Sequence, residues 1–203
     1  MLVQEVIKMP AKKVRVIFSD AEPLVLYQGE ARKYRIAEGE ELSDEDYQDI
    51  YYNILGKRAK KRAMHLLEKM DRTESNLKDK LRQNGYPEKL IEDAVAYVKK
   101  YHYIDDLRYA KNYIRCHQEQ KGAGKLKIEL MQKGVAKDLI EQALEEEFQM
   151  DERENIYQLL QKKGYFSEEK LPVEQRRIYQ YLLRRGYRSS DILSVMKCDD
   201  YLT

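Results

Sequence analysis

Lys57-Arg58-Ala59-Lys60-Lys61-Arg62 sets five cations within six residues, a density that attracts phosphate oxygens or an acidic protein groove. The apolar positions Ala63, Leu66, Leu67 and Met70 follow at helical spacing, so the run belongs to a helix and its side chains have fixed directions. A solvated helical face is the plain alternative. Further basic groups recur downstream: Lys78, Lys80 and Arg82; Lys125, Lys127 and Lys133; Arg176, Arg177, Arg184 and Arg185. The helix dipole favours cations near a helix end by about 0.3 to 1 kcal/mol. That accounts for Arg184 and Arg185, less well for Lys125 and Lys127 near a helix start, which therefore carry more weight. Seventeen tyrosines against three phenylalanines invite a base-stacking reading. Most stand where helices meet or end, such as Tyr86, Tyr101, Tyr103, Tyr165 and Tyr187, and packing with the hydroxyl at the surface is the favoured role.

Signals for catalysis are absent from the sequence. No GxxxxGK[ST] loop cradles a phosphate, and His65, His102 and His117 form no HExxH pattern. With Cys116 and Cys198 they make no credible zinc set. We expect a non-enzyme without cofactor or metal, with His117 packed at a core edge. The two cysteines form no CxxC pair, which suits a reducing cytosol. No run of about 18 apolar residues and no signal peptide is seen, so a cytoplasmic protein that neither enters nor spans a membrane is expected.

Net charge is +2, so any electrostatic case must come from distribution rather than total. Residues 1 to 55 carry seven basic against eleven acidic side chains, while residues 56 to 70 carry six against one.

These groups are held by a repeating helical pattern. Aligned on Gly85, Gly134 and Gly186, apolar residues stand eight before (Leu77, Leu126, Ile178) and four before (Leu81, Leu130, Leu182). Nine and ten after come Ala94-Val95, Ala143-Leu144 and Val195-Met196. Each glycine suits the left-handed φ that closes a helix. In the best-marked copy, Asp105 and Asp106 start a helix that stops near Lys121 and Gly122, and Gly122-Ala123-Gly124 breaks the chain before the next helix. The expected fold is mainly α: three tandem three-helix repeats in an elongated, curved array, with a small N-terminal β-meander. The meander comprises Val14 to Phe18, Leu24 to Tyr27, a Gln28-Gly29 turn and Ala31 to Ala37. It packs on a helix opened by Ser43, with Leu42 and Tyr47 as a hydrophobic staple, and Gly56 marks a break or kink in that helix. Pro87 suits a first-turn position, and Ser189 or Ser190 caps the last helix. The expected boundaries are 1–41 for the meander, 42–56 for the connecting helix, and 57–103, 104–150 and 151–203 for the three repeats.

Tyr103-Ile104-Asp105-Asp106-Leu107-Arg108-Tyr109-Ala110, then Lys121-Gly122, Leu130-x-x-x-Gly134 and Leu139-Ile140-Glu141-Gln142-Ala143-Leu144 resemble the signature of the RecX regulatory proteins of bacteria. The resemblance covers roughly residues 58 to 197. It implies a helical array that lies in the groove of the RecA recombinase filament on single-stranded DNA. There it modulates, usually inhibits, ATP hydrolysis and strand exchange, within homologous recombination, DNA repair and the SOS response. The partners so implied are RecA and, through the filament, single-stranded DNA, with weak direct DNA binding; an elongated monomer is expected because the sequence has no sustained heptad seam. A stand-alone DNA-binding module and a scaffold for an unrelated protein are the competing readings. Lys57, Arg58, Lys60, Lys61, Arg62, Lys125, Lys127, Arg176, Arg177, Arg184 and Arg185 are the candidate contact residues.

Overall fold

The computed structural model describes residues 1–167 and 171–197, and the chain divides into two units, 1–105 and 106 onward. In the first, strands β1 (Val3–Met9), β2 (Lys13–Phe18) and β3 (Leu24–Tyr27) form an antiparallel meander in the order β1-β2-β3. Val14, Val16 and Phe18 on β2 and Leu24 and Leu26 on β3 face inward, as the period of two requires. Two expectations need correction. The meander begins one strand earlier, with β1 joined to β2 by a tight turn in which Ala11 and Lys12 take φ of 58° and 56°. Nor is Ala31 to Ala37 a strand: residues Gln28–Lys33 form a short helix, α1. There the Glu30 carboxylate accepts from the Tyr27 backbone N–H at 2.8 Å, satisfying a donor that a helix start leaves open.

The sheet packs on the helix opened by Ser43, whose hydroxyl accepts from the Asp46 N–H at 3.1 Å. This helix runs through α2 (Asp44–Gln48), a π-helical stretch (Asp49–Gly56) and α3 (Lys57–Lys69). Of the break or kink expected at Gly56, the break is absent, since its φ of −62° and ψ of −46° are helical; the change from π to α winding falls there instead. The wider π turns carry the chain past it while Ile50, Tyr51 and Leu55 stay against Val16, Phe18 and Leu26. Leu42 and Tyr47 are both buried there. Helices α4 (Glu74–Gln83) and α5 (Glu88–Lys100) complete a three-helix group with α3 around Ala63, Leu77, Leu81, Ile91 and Val95. Thr73 caps α4, accepting from the Asn76 N–H at 3.2 Å. Pro87 sits at the N-cap of α5, one residue before its first turn.

The second unit holds α6 (Asp106–His117), α7 (Ala123–Gln132) and α8 (Lys137–Glu147), packed around Ile114, Leu126, Leu130 and Ile140. It also holds α9 (Glu152–Lys162), α10 (Pro172–Arg184) and α11 (Ser189–Lys197), packed around Ile156, Leu160, Leu182 and Ile192. Helix α6 ends at His117, short of Lys121, and Ser189 is the first residue of α11, not its cap. Residues 198–203, including Cys198, lie outside the described residues, and Cys116 is exposed.

The three aligned glycines have one physical origin. Gly85, Gly134 and Gly186 take φ of 82°, 80° and 86°. Each donates its N–H to the carbonyl three residues back, at 2.9 Å, and the next residue donates to the carbonyl five back: Tyr86 to Leu81, Val135 to Leu130, Tyr187 to Leu182. This is the Schellman closure, in which the residue after the glycine turns back onto the helix it ends. It makes Tyr187 2% exposed, against the expectation of a surface hydroxyl. Among the described residues that hydroxyl has no hydrogen-bond partner, and burial pushes its pKa up to about 12.

His117 lies at the core edge as expected. Its ring stacks on Tyr113 at 4.2 Å and its Nδ1 lies 2.8 Å from the Tyr113 carbonyl. Beside it, Glu129 accepts from Lys121 Nζ and from the Tyr113 hydroxyl, each at 2.7 Å. Burial alone would raise the Glu129 pKa, but these two donors more than offset it and hold it below its usual 4.5. A depressed carboxylate stabilises the fold above the unfolded pKa and loses that contribution as pH falls through the folded value. Glu129→Gln is therefore expected to flatten the loss of thermal midpoint between neutral pH and about pH 3. Circular dichroism melts with the same pH slope in both proteins would contradict this.

Candidate functional site

Helical spacing divides the basic run of α3 into two faces around buried Ala59, Ala63 and Leu66. Arg58, Lys61, Arg62 and His65 share one face, at i, i+3, i+4 and i+7. They line a cleft of about 480 Å³ with Lys13 at the start of β2, Tyr27 at the end of β3, and Asn84 and Tyr86 beyond α4. Four cations line this cleft, of which Arg58 is paired with Glu30 and the other three face no carboxylate in an ion pair among the described residues. A recess lined by one sign of charge concentrates its field more than a flat surface does.

The cleft is built by its own side chains. Arg58 pairs with Glu30 and lies 4.6 Å over the Tyr27 ring, while Lys13 Nζ lies 5.7 Å from the same ring. Arg58 thus ties α3 to the sheet. Arg62 Nε donates to Asn84 Oδ1 at 2.9 Å, which orients the guanidinium and commits one of its five N–H groups. Gly85 packs so closely on the sheet that a Cβ there would meet Val25 Cγ2 at 2.7 Å. Burial raises the Tyr86 phenol pKa. Lys61 is exposed and among the described residues has no ion-pair or hydrogen-bond partner. The other face carries Lys57, exposed, and Lys60, whose Nζ lies 5.6 Å over the Tyr97 ring.

The remaining candidates are placed differently. Lys127 pairs with Glu141 at 2.8 Å and Lys125 lies 3.9 Å from Glu129, so both face carboxylates of their own unit. Arg185 stacks 4.7 Å over Tyr181 and donates to the Gln120 carbonyl at 2.5 Å, which ties α10 to the loop before α7. Arg176, Arg177 and Arg184 are exposed and have no ion-pair partner among the described residues. On α4 two of the three basic residues are paired, Lys78 with Glu74 and Arg82 with Asp79 and with Glu88 of α5, while Lys80 donates to the Gln83 side chain. Sequence reasoning found Arg58, Lys61 and Arg62 but missed Lys13, Tyr27, His65 and Asn84 as their neighbours. No spacing could have found Lys13, because only the sheet brings it to α3.

Family models for RecX match three stretches of the chain: its first three-helix domain at residues 59–97, its second at 105–144 and its third at 151–196. The regulatory protein RecX of Caldanaerobacter subterraneus subsp. tengcongensis is 33% identical over 166 residues, 80% of this chain and 84% of that protein. That of Clostridium botulinum (strain Alaska E43 / Type E3) is 38% identical over 101 residues, 50% of this chain and 48% of that protein. The match thus spans about half of the clostridial relative's length. Among solved structures, a crystal structure of regulatory protein RecX is similar with a TM-score of 0.62 at 23% identity, covering 96% of this chain and 98% of its own. RecX from Lactobacillus salivarius is similar with a TM-score of 0.59 at 24% identity, covering 70% and 95%. At such identities the two structures bear on the fold alone.

Proposed function

This chain belongs to the RecX family of regulatory proteins, and from that premise we propose that it inhibits the RecA recombinase by binding the RecA filament on single-stranded DNA. It acts in the filament groove and slows ATP hydrolysis and strand exchange, as a cytoplasmic non-enzyme in recombinational repair. The observation that carries this reading is the match of all three three-helix stretches, in order, to one regulatory family. The cleft on α3 supports it: Lys13, Lys61 and Arg62, with no ion-pair partner among the described residues, suit a phosphodiester strand or an acidic rim of its protein coat. No described helix is long and apolar enough to cross a membrane.

The test is ATP hydrolysis by the cognate RecA on single-stranded DNA as this protein is titrated in, with bare-DNA binding measured at the same salt. Hydrolysis is expected to fall at concentrations where bare DNA is barely occupied. Unchanged hydrolysis by a folded protein would overturn the reading. The same cleft favours one alternative, a DNA-binding module acting alone, which requires tight bare-DNA binding with a steep salt dependence.

A further inference from the structure

Three tyrosines near the C-terminal end of α5 stand in solvent: Tyr97 is 39% exposed, Tyr101 53% and Tyr103 48%. The core beneath them does not need their rings, because Ala94, Val95, Val98 and Ile104 already fill it. Clustered exposed aromatics are uncommon on a soluble domain and mark contact surfaces. The backbone holds them together. Tyr97 and Tyr101 lie one helical turn apart. His102 then takes φ of 57°, and the reversed chain is pinned by Tyr103 N–H donating to the Val98 carbonyl at 3.0 Å. A non-glycine residue rarely adopts that φ. Here it swings Tyr103 back beside Tyr101.

The ring centroids are 5.0 Å apart between Tyr97 and Tyr101 and 6.3 Å between Tyr101 and Tyr103, with tilts of 59° and 40°. These spacings exceed the roughly 3.4 Å rise per base of a duplex strand. The rings touch one another, so a base can stack only on a solvent-facing side of the cluster, and it must leave its own stack to do so. Two cations that a polyanion can meet stand near the rings: Lys60 Nζ lies over Tyr97 at 5.6 Å, and Lys100 is exposed with no ion-pair partner among the described residues. Glu74, the carboxylate within reach of Lys99, is already shared between Lys99 and Lys78.

We propose that Tyr97, Tyr101 and Tyr103, with Lys60, form a base-stacking platform for single-stranded nucleic acid, separate from the cleft that lies on the opposite side of α3. The inference deepens the proposed function, on which it rests for the identity of the strand. Stacking is indifferent to sequence, since every base has a π-face.

Anisotropy of a labelled oligothymidylate tests it against an abasic phosphodiester strand of equal length and a duplex. The full-length protein is expected to prefer oligothymidylate to both. Tyr97→Leu/Tyr101→Leu/Tyr103→Leu is expected to weaken oligothymidylate binding about a hundredfold and to abolish the preference over the abasic strand. The corresponding triple Phe variant, which keeps the rings, should bind as the parent does. An unmodified protein that holds the abasic strand as tightly as oligothymidylate overturns the proposal, even if the leucine variant fails to fold. So does a folded leucine variant that binds the bare strand normally but has lost the recombinase, since the rings would then face protein. RecA inhibition without any base preference would remove this platform while leaving the proposed function standing.

Discussion

Gly186→Ala is expected to destabilise the second unit by about 3 kcal/mol or more, lowering its thermal midpoint by roughly 12 °C or more. Two penalties coincide at this residue. Its φ of 86° is strained for any side chain, at roughly 1 to 2 kcal/mol. A Cβ there would also lie 2.2 Å from the Lys125 backbone nitrogen and 2.5 Å from the Lys125 Cβ. The loop and helix start cannot simply retreat. Gly122 N–H donates to the Arg185 carbonyl at 2.9 Å, and Ala123 N–H donates to Glu152 Oε1 at 2.8 Å. Asn155, buried at 1% exposure, donates to the Gln118 carbonyl at 3.0 Å. Each bond closes the end of one helix with an atom from the neighbouring three-helix group, so moving apart would orphan buried polar groups. Gly39 is the control: its φ is 80°, but nothing lies within 4 Å of its Cβ position, so Gly39→Ala should incur the backbone strain alone. Heat denaturation followed by circular dichroism decides the matter. Equal losses in the two variants would show that the close approach at Lys125 is not rigid.

The same contact explains what the sequence could and could not reveal. Gly122-Ala123-Gly124 is legible as a helix breaker from composition alone, yet its glycines answer to a tertiary constraint. A Cβ on either would come within 3 Å of the Gly186 carbonyl oxygen. The repeats were legible because the Schellman closure is local: a glycine at C′ and apolar residues four and eight before it lie within one helix. Strand β1 was not legible. Its burial barely alternates, with Val3 buried, Val6 half-buried and the remaining strand residues exposed, and its turn uses Ala11 and Lys12 where Asn-Gly is the usual signal. Likewise α1 is held by Glu30 reaching back to Tyr27 and by Arg58 from α3. The first of these is a local bond hidden in a strand-like context, and the second spans 28 residues. Candidate contacts divide along the same line. Lys125 and Lys127 looked unexplained by the helix dipole, but Glu129 one turn on and Glu141 from α8 answer them.

That division sets the second large effect. Lys13→Glu/Lys61→Glu is expected to weaken binding to the RecA filament about a hundredfold at low salt, each lost phosphate contact counting for roughly tenfold. The salt dependence should also become shallower by about two contacts. Both lysines line the cleft, Lys61 has no ion-pair partner among the described residues, and neither packs in the hydrophobic core. The spectrum and melting of the folded protein should therefore change little. Lys125→Glu/Lys127→Glu alters the net charge by the same amount but replaces cations already faced by Glu129 and Glu141, and less than about a tenfold loss is expected. Comparing the two double variants separates a located interface from a general electrostatic attraction, which would respond to total charge alone. Filament binding that falls equally in both would remove the cleft from the interface. A loss confined to Lys13 and Lys61 would place the strand or its protein coat where the meander meets α3, a surface that exists only when both elements are folded together.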